Sequence, residues 1–419
     1  MNKKISLGAA IAYMAIVAAV AVSLTIIWSM NAFNDRVNNI GERETMYSKI
    51  AEIDRLVRDG YFGVLDEDAL REASAQGYLS GLGDPYAKYL TAKEYETYNK
   101  GEGKYVGIGV VTELDNDGYI KLKEVYPESP AEVAGLKAGD LIVSVDGETA
   151  TAENYETLVS AFKGEAGTKI ALIKRQGNED SQIEITRRAI DIPTVKATLM
   201  DGSKGYIRIT SLTSTTAAQF DKQLDKLLND GALSLIFDIR GLKSDNAKYI
   251  TDMLDILLPK GPILYAEYRD GSKEVLAESD EKEVAVPMAV LIDDTTKGTP
   301  ELFAQALRDS GKAKTVGLTT AGKGTLQQDK KLSDGSAVLF TVARYSGPSG
   351  NTYDLSGVAP DFEVRWGANA EERALAMGNP ELDSALKKAI EYLSTAQKSE
   401  AATGESSGSS SSSSDVAAK

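Results

Sequence analysis

The stretch AVLIDDTTKGTPELFAQAL, residues 289–307, holds a strand, a turn and a helix in close succession. Its first part belongs to the apolar run 288–292, short enough and apolar enough for a buried strand. Its last part carries apolar side chains at helical spacing over 301–309. Thr299 followed by Pro300 is a helix start, since threonine is a good N-cap and proline suits the first helical position. Gly298, just before it, reads on its own as a permissive turn residue. Strand, turn and helix in this order are what an α/β domain is built from.

The alternation continues on both sides. Upstream, 205–209 reads as a strand and 217–229 as a helix that buries Phe220, Leu224, Leu227 and Leu228. The run 233–239 is an apolar strand of the kind covered on both faces. A helix over 247–258 follows, then a hairpin over 265–275 that turns at Asp270-Gly271. Downstream come strands at 315–318 and 337–345 and a last helix at 381–393, so residues 193–395 read as one α/β core. In front of it, 104–188 changes to short β-type runs at 106–112, 120–125, 140–145, 169–174 and 182–186, broken by glycine. Short helices at 129–134 and 154–162 complete a small, mainly-β domain. Residues 34–100 are helical, with Ile50, Ile53, Leu56 and Val57 on one face. After the turn 81–85, Tyr86, Tyr89, Leu90 and Tyr95 read as packing rather than as ligand contacts. The serine-rich tail 399–419 cannot bury a core and is expected to be disordered.

Composition narrows the chemistry. A chain of 419 residues suggests two or three domains, and 42% hydrophobic residues suffice for a sizeable core. The net charge of −15 argues against binding nucleic-acid phosphates. There is neither cysteine nor histidine, so disulfides, thiolate nucleophiles, Cys/His zinc sites and any Ser-His-Asp triad are excluded. Proton transfer near neutral pH then needs a carboxylate, or a lysine whose pKa burial has lowered. At the amino terminus, Lys3 and Lys4 precede the uncharged run 5–28, ending in Trp28. A spanning helix needs ~20 apolar residues, whereas the apolar part of a cleaved signal peptide is usually ~7–15. The expectation is therefore an uncleaved anchor, with 1–4 cytoplasmic and the bulk of the chain outside the cytoplasm.

Seven segments then follow one another along the chain: GLGDPYAKYLTAKEYE (81–96), GKYVGIGV (103–110), ESPAEVAGLKAGDLIVSVDGE (128–148), KGYIRITSLTSTTAAQF (204–220), AVLIDDTTKGTPELFAQAL (289–307), GKGTLQQ (322–328) and SGPSGNTYDLSGVAPDFEV (346–364). Together they resemble the C-terminal processing (tail-specific) peptidases, which carry an inserted PDZ domain. The resemblance runs over roughly residues 45–395. It implies a crotonase- or Clp-like α/β peptidase core, an inserted PDZ domain and helical amino-terminal arms, to which the reading above adds one transmembrane helix. In a PDZ domain a glycine-containing loop presents N–H groups to a peptide's terminal carboxylate while the peptide adds a strand to the sheet. The matching loop is Tyr105-Val106-Gly107-Ile108-Gly109, although GIG alone is no more than a strand start.

Peptidases of this kind use a Ser-Lys dyad assisted by glutamine. Lys323 and Gln327 match the base and its partner, though a lysine between glycines is by itself an exposed turn. The family's nucleophile segment reads like G-S-A-S-A-S-E. Without a gap it falls on Thr295-Thr296-Lys297-Gly298-Thr299-Pro300-Glu301, and the attacking serine falls on Gly298. Glycine cannot form an acyl intermediate. The family's loop D-L-R-N-N-P-G-G becomes Asp238-Ile239-Arg240-Gly241-Leu242-Lys243-Ser244-Asp245, without the Pro-Gly-Gly that supplies an oxyanion donor. One such donor is worth ~2.7–4 kcal/mol of barrier. The leading expectation is an inactive relative that still binds unstructured protein carboxyl termini. It needs no cofactor and pairs with itself or with an active relative through its helical arms. One alternative is an endopeptidase that uses Thr296 or Thr299 with Lys323; another is a core that merely spaces the PDZ domain.

Overall fold

The structure is a computed structural model that describes residues 7–99, 103–177, 179–201, 203–367 and 369–407. The chain divides into two compact units, residues 1–77 and 78–419.

The first unit is led by one continuous helix, Leu7–Gly60. Near its end Arg58 pairs with Asp54 of the same helix at 2.8 Å and with Glu67 of the next helix, Glu67–Ser80, at 2.6 Å. Ile50, Ile53 and Leu56 keep the expected helical spacing but remain exposed. The expected transmembrane helix is corrected: among the described residues no helix is long and apolar enough to cross a membrane. Residues 1–6 lie outside the described ones. The helix that follows does not end at Trp28; it continues through a sequence containing Asp35, Arg36, Glu42, Arg43 and Glu44. The described part of that run, 7–28, is therefore the start of a longer, mixed helix instead of a bounded apolar span.

The second unit is organised around a six-stranded sheet in the order Val195–Met200, Lys204–Ile209, Ser234–Asp238, Met288–Ile292, Ala313–Gly317, Phe362–Glu363. The first pair is antiparallel and all later pairs are parallel. Alternate side chains serve opposite faces, as the pleat dictates. Leu235 and Phe237 join the core with helices Thr216–Asn229, Ala247–Leu257 and Thr299–Asp309. Ile236 and Leu291 pack instead against Leu386, Ala389 and Leu393 of the last helix, Ser384–Ser407. Phe237 meets Phe220 at 5.7 Å and Phe303 edge-on at 5.5 Å between ring centres. A second sheet, Lys88–Leu90, Ala337–Ser346, Gly261–Tyr268 and Lys273–Ser279, carries Thr325–Lys331 alongside Ala337–Ser346. The loops leaving the carboxyl ends of Ser234–Asp238 and Met288–Ile292 are where ligand sites form in parallel sheets.

The inserted domain is an antiparallel sheet ordered Val110–Leu114, Ile120–Val125, Leu141–Val145, Lys169–Gln176, Glu179–Thr186. It has its own core of Ile108, Ile120, Leu122, Ile142, Leu158, Phe162, Ile170, Leu172 and Ile185. Lys104–Gly107 pairs with Arg188–Asp191, so the chain enters and leaves the domain side by side. The strand read at 106–112 is two strands. Gly109 sits at φ +85°, and a Cβ there would come within 2.3 Å of Ser129 Cβ, so the chain turns where the sequence reads as straight. The last helix runs to Ser407, past the start of the serine-rich tail, and 408–419 lie outside the described residues.

Candidate functional site

The helix Thr299–Asp309 has Gly298 at its N-cap, one residue earlier than the Thr299 cap expected from sequence. Gly298 lies at φ +86°, a region open to glycine and strained for other residues. Its N–H donates to the Glu301 carboxylate at 2.9 Å, which closes the first turn. Lys297–Gly298 pairs in parallel with Lys243–Ser244, with Ser244 opposite Gly298. A Cβ on Gly298 would lie 2.0 Å from the Ser244 carbonyl oxygen and 3.2 Å from Asp245 Oδ1. The altered loop 242–245 thus fills the space a side chain at 298 would need.

The two neighbouring hydroxyls are engaged elsewhere. Thr296 is fully buried; its hydroxyl donates to Asp293 Oδ1 at 3.0 Å or Ile239 O at 3.2 Å and accepts from Asp293 N at 3.2 Å. The Thr299 hydroxyl faces the carbonyls of Ser244 at 3.3 Å and Asn246 at 3.2 Å. A donor held by backbone carbonyls and a carboxylate is oriented for structure, not aimed at a cleft.

Lys323 follows the strand Ala313–Gly317 on a loop that Glu301 holds. The Glu301 carboxylate is wholly buried and accepts from Thr320 Oγ1 at 2.5 Å, Gly322 N at 2.7 Å and Lys323 N at 2.8 Å, besides Gly298 N. One carboxylate therefore clamps the lysine loop to the helix start at Gly298. Lys323 Nζ donates to Asp245 Oδ1 at 2.5 Å and to Gln327 Oε1 at 3.2 Å, and lies 4.4 Å from the centre of the Tyr86 ring. The lysine side chain is 8% exposed and that of Asp245 50%. Gln327 in turn donates to Tyr86 O at 2.7 Å. Burial, followed by the charges of Asp354, Glu301, Asp245 and Asp84, pushes the Tyr86 phenol above its ordinary value. It stays neutral and serves as a ring beneath the ammonium. Asp84 sets Tyr86 in place by accepting from Tyr86 N at 2.9 Å and Thr341 N at 3.0 Å.

The structure thus gathers Lys323, Gln327 and Gly298 into one neighbourhood through Glu301, Asp245 and Tyr86. Glu301 and Tyr86 were not legible as site residues. Glu301 looks like an ordinary third residue of a helix, and Tyr86 like packing; only the fold brings them to the lysine. Asp245, the last residue of the loop that lacks Pro-Gly-Gly, is the partner of Lys323 Nζ. A cleft of about 1230 Å³ opens beside it, lined in part by Tyr98, Asp245, Asn246, Tyr249, Leu326 and Tyr345. A carboxylate and a glutamine oxygen thus both hold the Lys323 Nζ.

The loop 105–109 lies in the inserted domain, at the junction between the pair Lys104–Gly107 with Arg188–Asp191 and the edge strand Val110–Leu114. Val106 O accepts from Gly164 N at 3.2 Å, Ile108 O from Ala131 N at 2.9 Å, and Gly109 O from Tyr126 N at 2.9 Å. Ile108 points into the domain core. The loop's carbonyls are therefore held by the domain, and Val110–Leu114 pairs on one side only among the described residues. An edge strand of this kind can accept a further strand.

Peptidase family S41 matches residues 203–364 and a PDZ domain matches residues 122–174. Carboxy-terminal processing protease CtpA of Bacillus subtilis (strain 168) is 31% identical over 352 residues, covering 83% of this chain and 75% of that protein. CtpB of the same organism is 30% identical over 333 residues, covering 77% and 69%. Among solved structures, the photosystem II D1 C-terminal processing protease aligns over 80% of this chain and 92% of that one, at 24% identity and a TM-score of 0.47.

Proposed function

The chain belongs to peptidase family S41, and from that premise we propose that it holds the carboxyl ends of unfolded polypeptides without cutting them. The observation that carries this reading is the contact across Gly298. The position on which the family's attacking serine falls has no side chain, and the Ser244 carbonyl stands 2.0 Å from where a Cβ would be. Two further features support it: Thr296 and Thr299 are bonded to protein groups, and Lys323 Nζ is paired with the Asp245 carboxylate of the altered loop. This ligand class is supported by the relatives, which are named carboxy-terminal processing proteases, by the PDZ match over 122–174, and by the loop 105–109 with its open-edged strand.

The competing endopeptidase reading makes a covalent commitment that can be trapped. A serine/threonine-directed fluorophosphonate, incubated with the full chain and mapped by peptide mass spectrometry, is expected to leave Thr296 and Thr299 unmodified. An adduct on either threonine that disappears in Lys323→Ala would replace the binding reading with catalysis.

A further inference from the structure

The inserted domain contains a side-chain bridge that a peptide groove should lack. A strand added to Val110–Leu114 would lie along that free edge, beside the helix Tyr155–Ser160. Thr112 is in the middle of the edge strand and Tyr155 is the first residue of the helix. Their hydroxyls are hydrogen-bonded at 2.8 Å. At the other end, the Tyr105 ring folds back over Gly107, where a Cβ would lie 2.6 Å from the ring's Cε2 and 2.9 Å from Phe162 O. Glycine at 107 is what lets the ring lie there. Lys163 Nζ covers the ring from 5.5 Å, and the isolated bridge between Gly107 and Lys163 fixes that lysine beside it.

We propose that the groove is latched by its own side chains: the Thr112–Tyr155 bond ties edge strand to helix, the Tyr105 ring covers the glycine turn, and a carboxyl terminus enters only after these contacts open. The inference rests on the carboxyl-terminus reading above and adds a closed resting state to it. The Gly109 and Val110 N–H groups act on the Tyr105 oxygen, so the phenol stands in front of the donors a terminal carboxylate would use. Burial outweighs them and pushes the Tyr105 phenol up to about 12, so the occupant is neutral at ordinary pH. A neutral occupant suits a latch. Hydrogen bonds to a charged acceptor are roughly twice as strong as neutral ones, so an arriving carboxylate can displace the phenol.

The test uses the full chain and a fluorescein-labelled decapeptide ending in three alanines, as free acid and as amide, with affinity read by anisotropy. Tyr155→Phe keeps the ring and removes the bridging hydroxyl; Thr112→Val removes the same bond from the other side. Each is expected to tighten free-acid binding about fivefold, the equivalent of one hydrogen bond of ~1 kcal/mol. Amide exchange over Val110–Leu114 in the ligand-free protein is expected to quicken by a similar factor. Unchanged or weaker free-acid binding in both variants, with discrimination against the amide intact, overturns the latch and leaves the carboxyl-terminus reading standing. Equal binding of acid and amide, or no binding by any of the proteins, overturns that reading; the exchange rates then judge the latch alone, and unchanged rates reject it.

Discussion

Gly298 and Ser244 face each other across a short parallel pair, and the Ser244 carbonyl oxygen occupies the space a side chain at 298 would enter. Restoring a hydroxyl there meets two obstacles. The φ of +86° is strained for any residue with a Cβ, at ~1–3 kcal/mol, and the 2.0 Å contact is with backbone, which cannot swing aside as a side chain can. Gly298→Ser is therefore expected to lower the unfolding free energy in urea by about 1–3 kcal/mol and to gain no peptidase activity. A variant as stable as wild type, or one that hydrolyses peptide, would show that the 242–245 loop yields easily and that the site can be rebuilt by one substitution.

Among the elements, the last helix is held by charge as well as by apolar packing. Arg240, wholly buried, donates to Asp238 through Nε at 2.9 Å and Nη2 at 2.6 Å, and to Asp383 at 3.0 and 2.6 Å. Its guanidinium lies 3.9 Å from the centre of the Trp366 ring. Asp383 also accepts from Leu386 N at 3.0 Å, so the pair that ends the sheet strand also starts the helix Ser384–Ser407. Burial pushes the Asp238 carboxyl up, but hydrogen bonds from Arg240, its charge and that of Arg208 outweigh this and hold the carboxyl below its ordinary value. A depressed carboxylate contributes stability above the unfolded pKa, ~3.9 for aspartate, and loses it as pH falls through the folded value. The stability difference between wild type and Asp238→Asn should be about 3–5 kcal/mol at pH 6 and shrink steadily below pH ~4. A difference that stays constant down to pH 2 would mean that the pair is not what distinguishes the two proteins.

For the molecule as a whole, the order of elements was legible because each carries its own periodicity. The apolar strand around Phe237, the helix with Phe220 and Leu224, and the inserted domain's strands at 120–125, 169–174 and 182–186 fold locally as they read. What the sequence could not convey depends on contacts between distant segments. Ser129 leaves no room for a side chain at the Gly109 turn, the clamp of Glu301 on the lysine loop joins residues some twenty positions apart, and Tyr86 meets Lys323 from the turn before Lys88–Leu90. The run before Trp28 misled for the opposite reason: local hydropathy suggested a bounded span, and the helix simply continues. On the function proposed above, this S41 chain holds carboxyl termini in a groove and does not cut them. Incubation of the full chain with an unfolded reporter bearing a nonpolar carboxyl terminus, followed over hours by intact-mass spectrometry, tests it most directly. The reporter is expected to keep its full mass at every time point; truncated products that vanish when Lys323→Ala replaces the wild type would contradict the account.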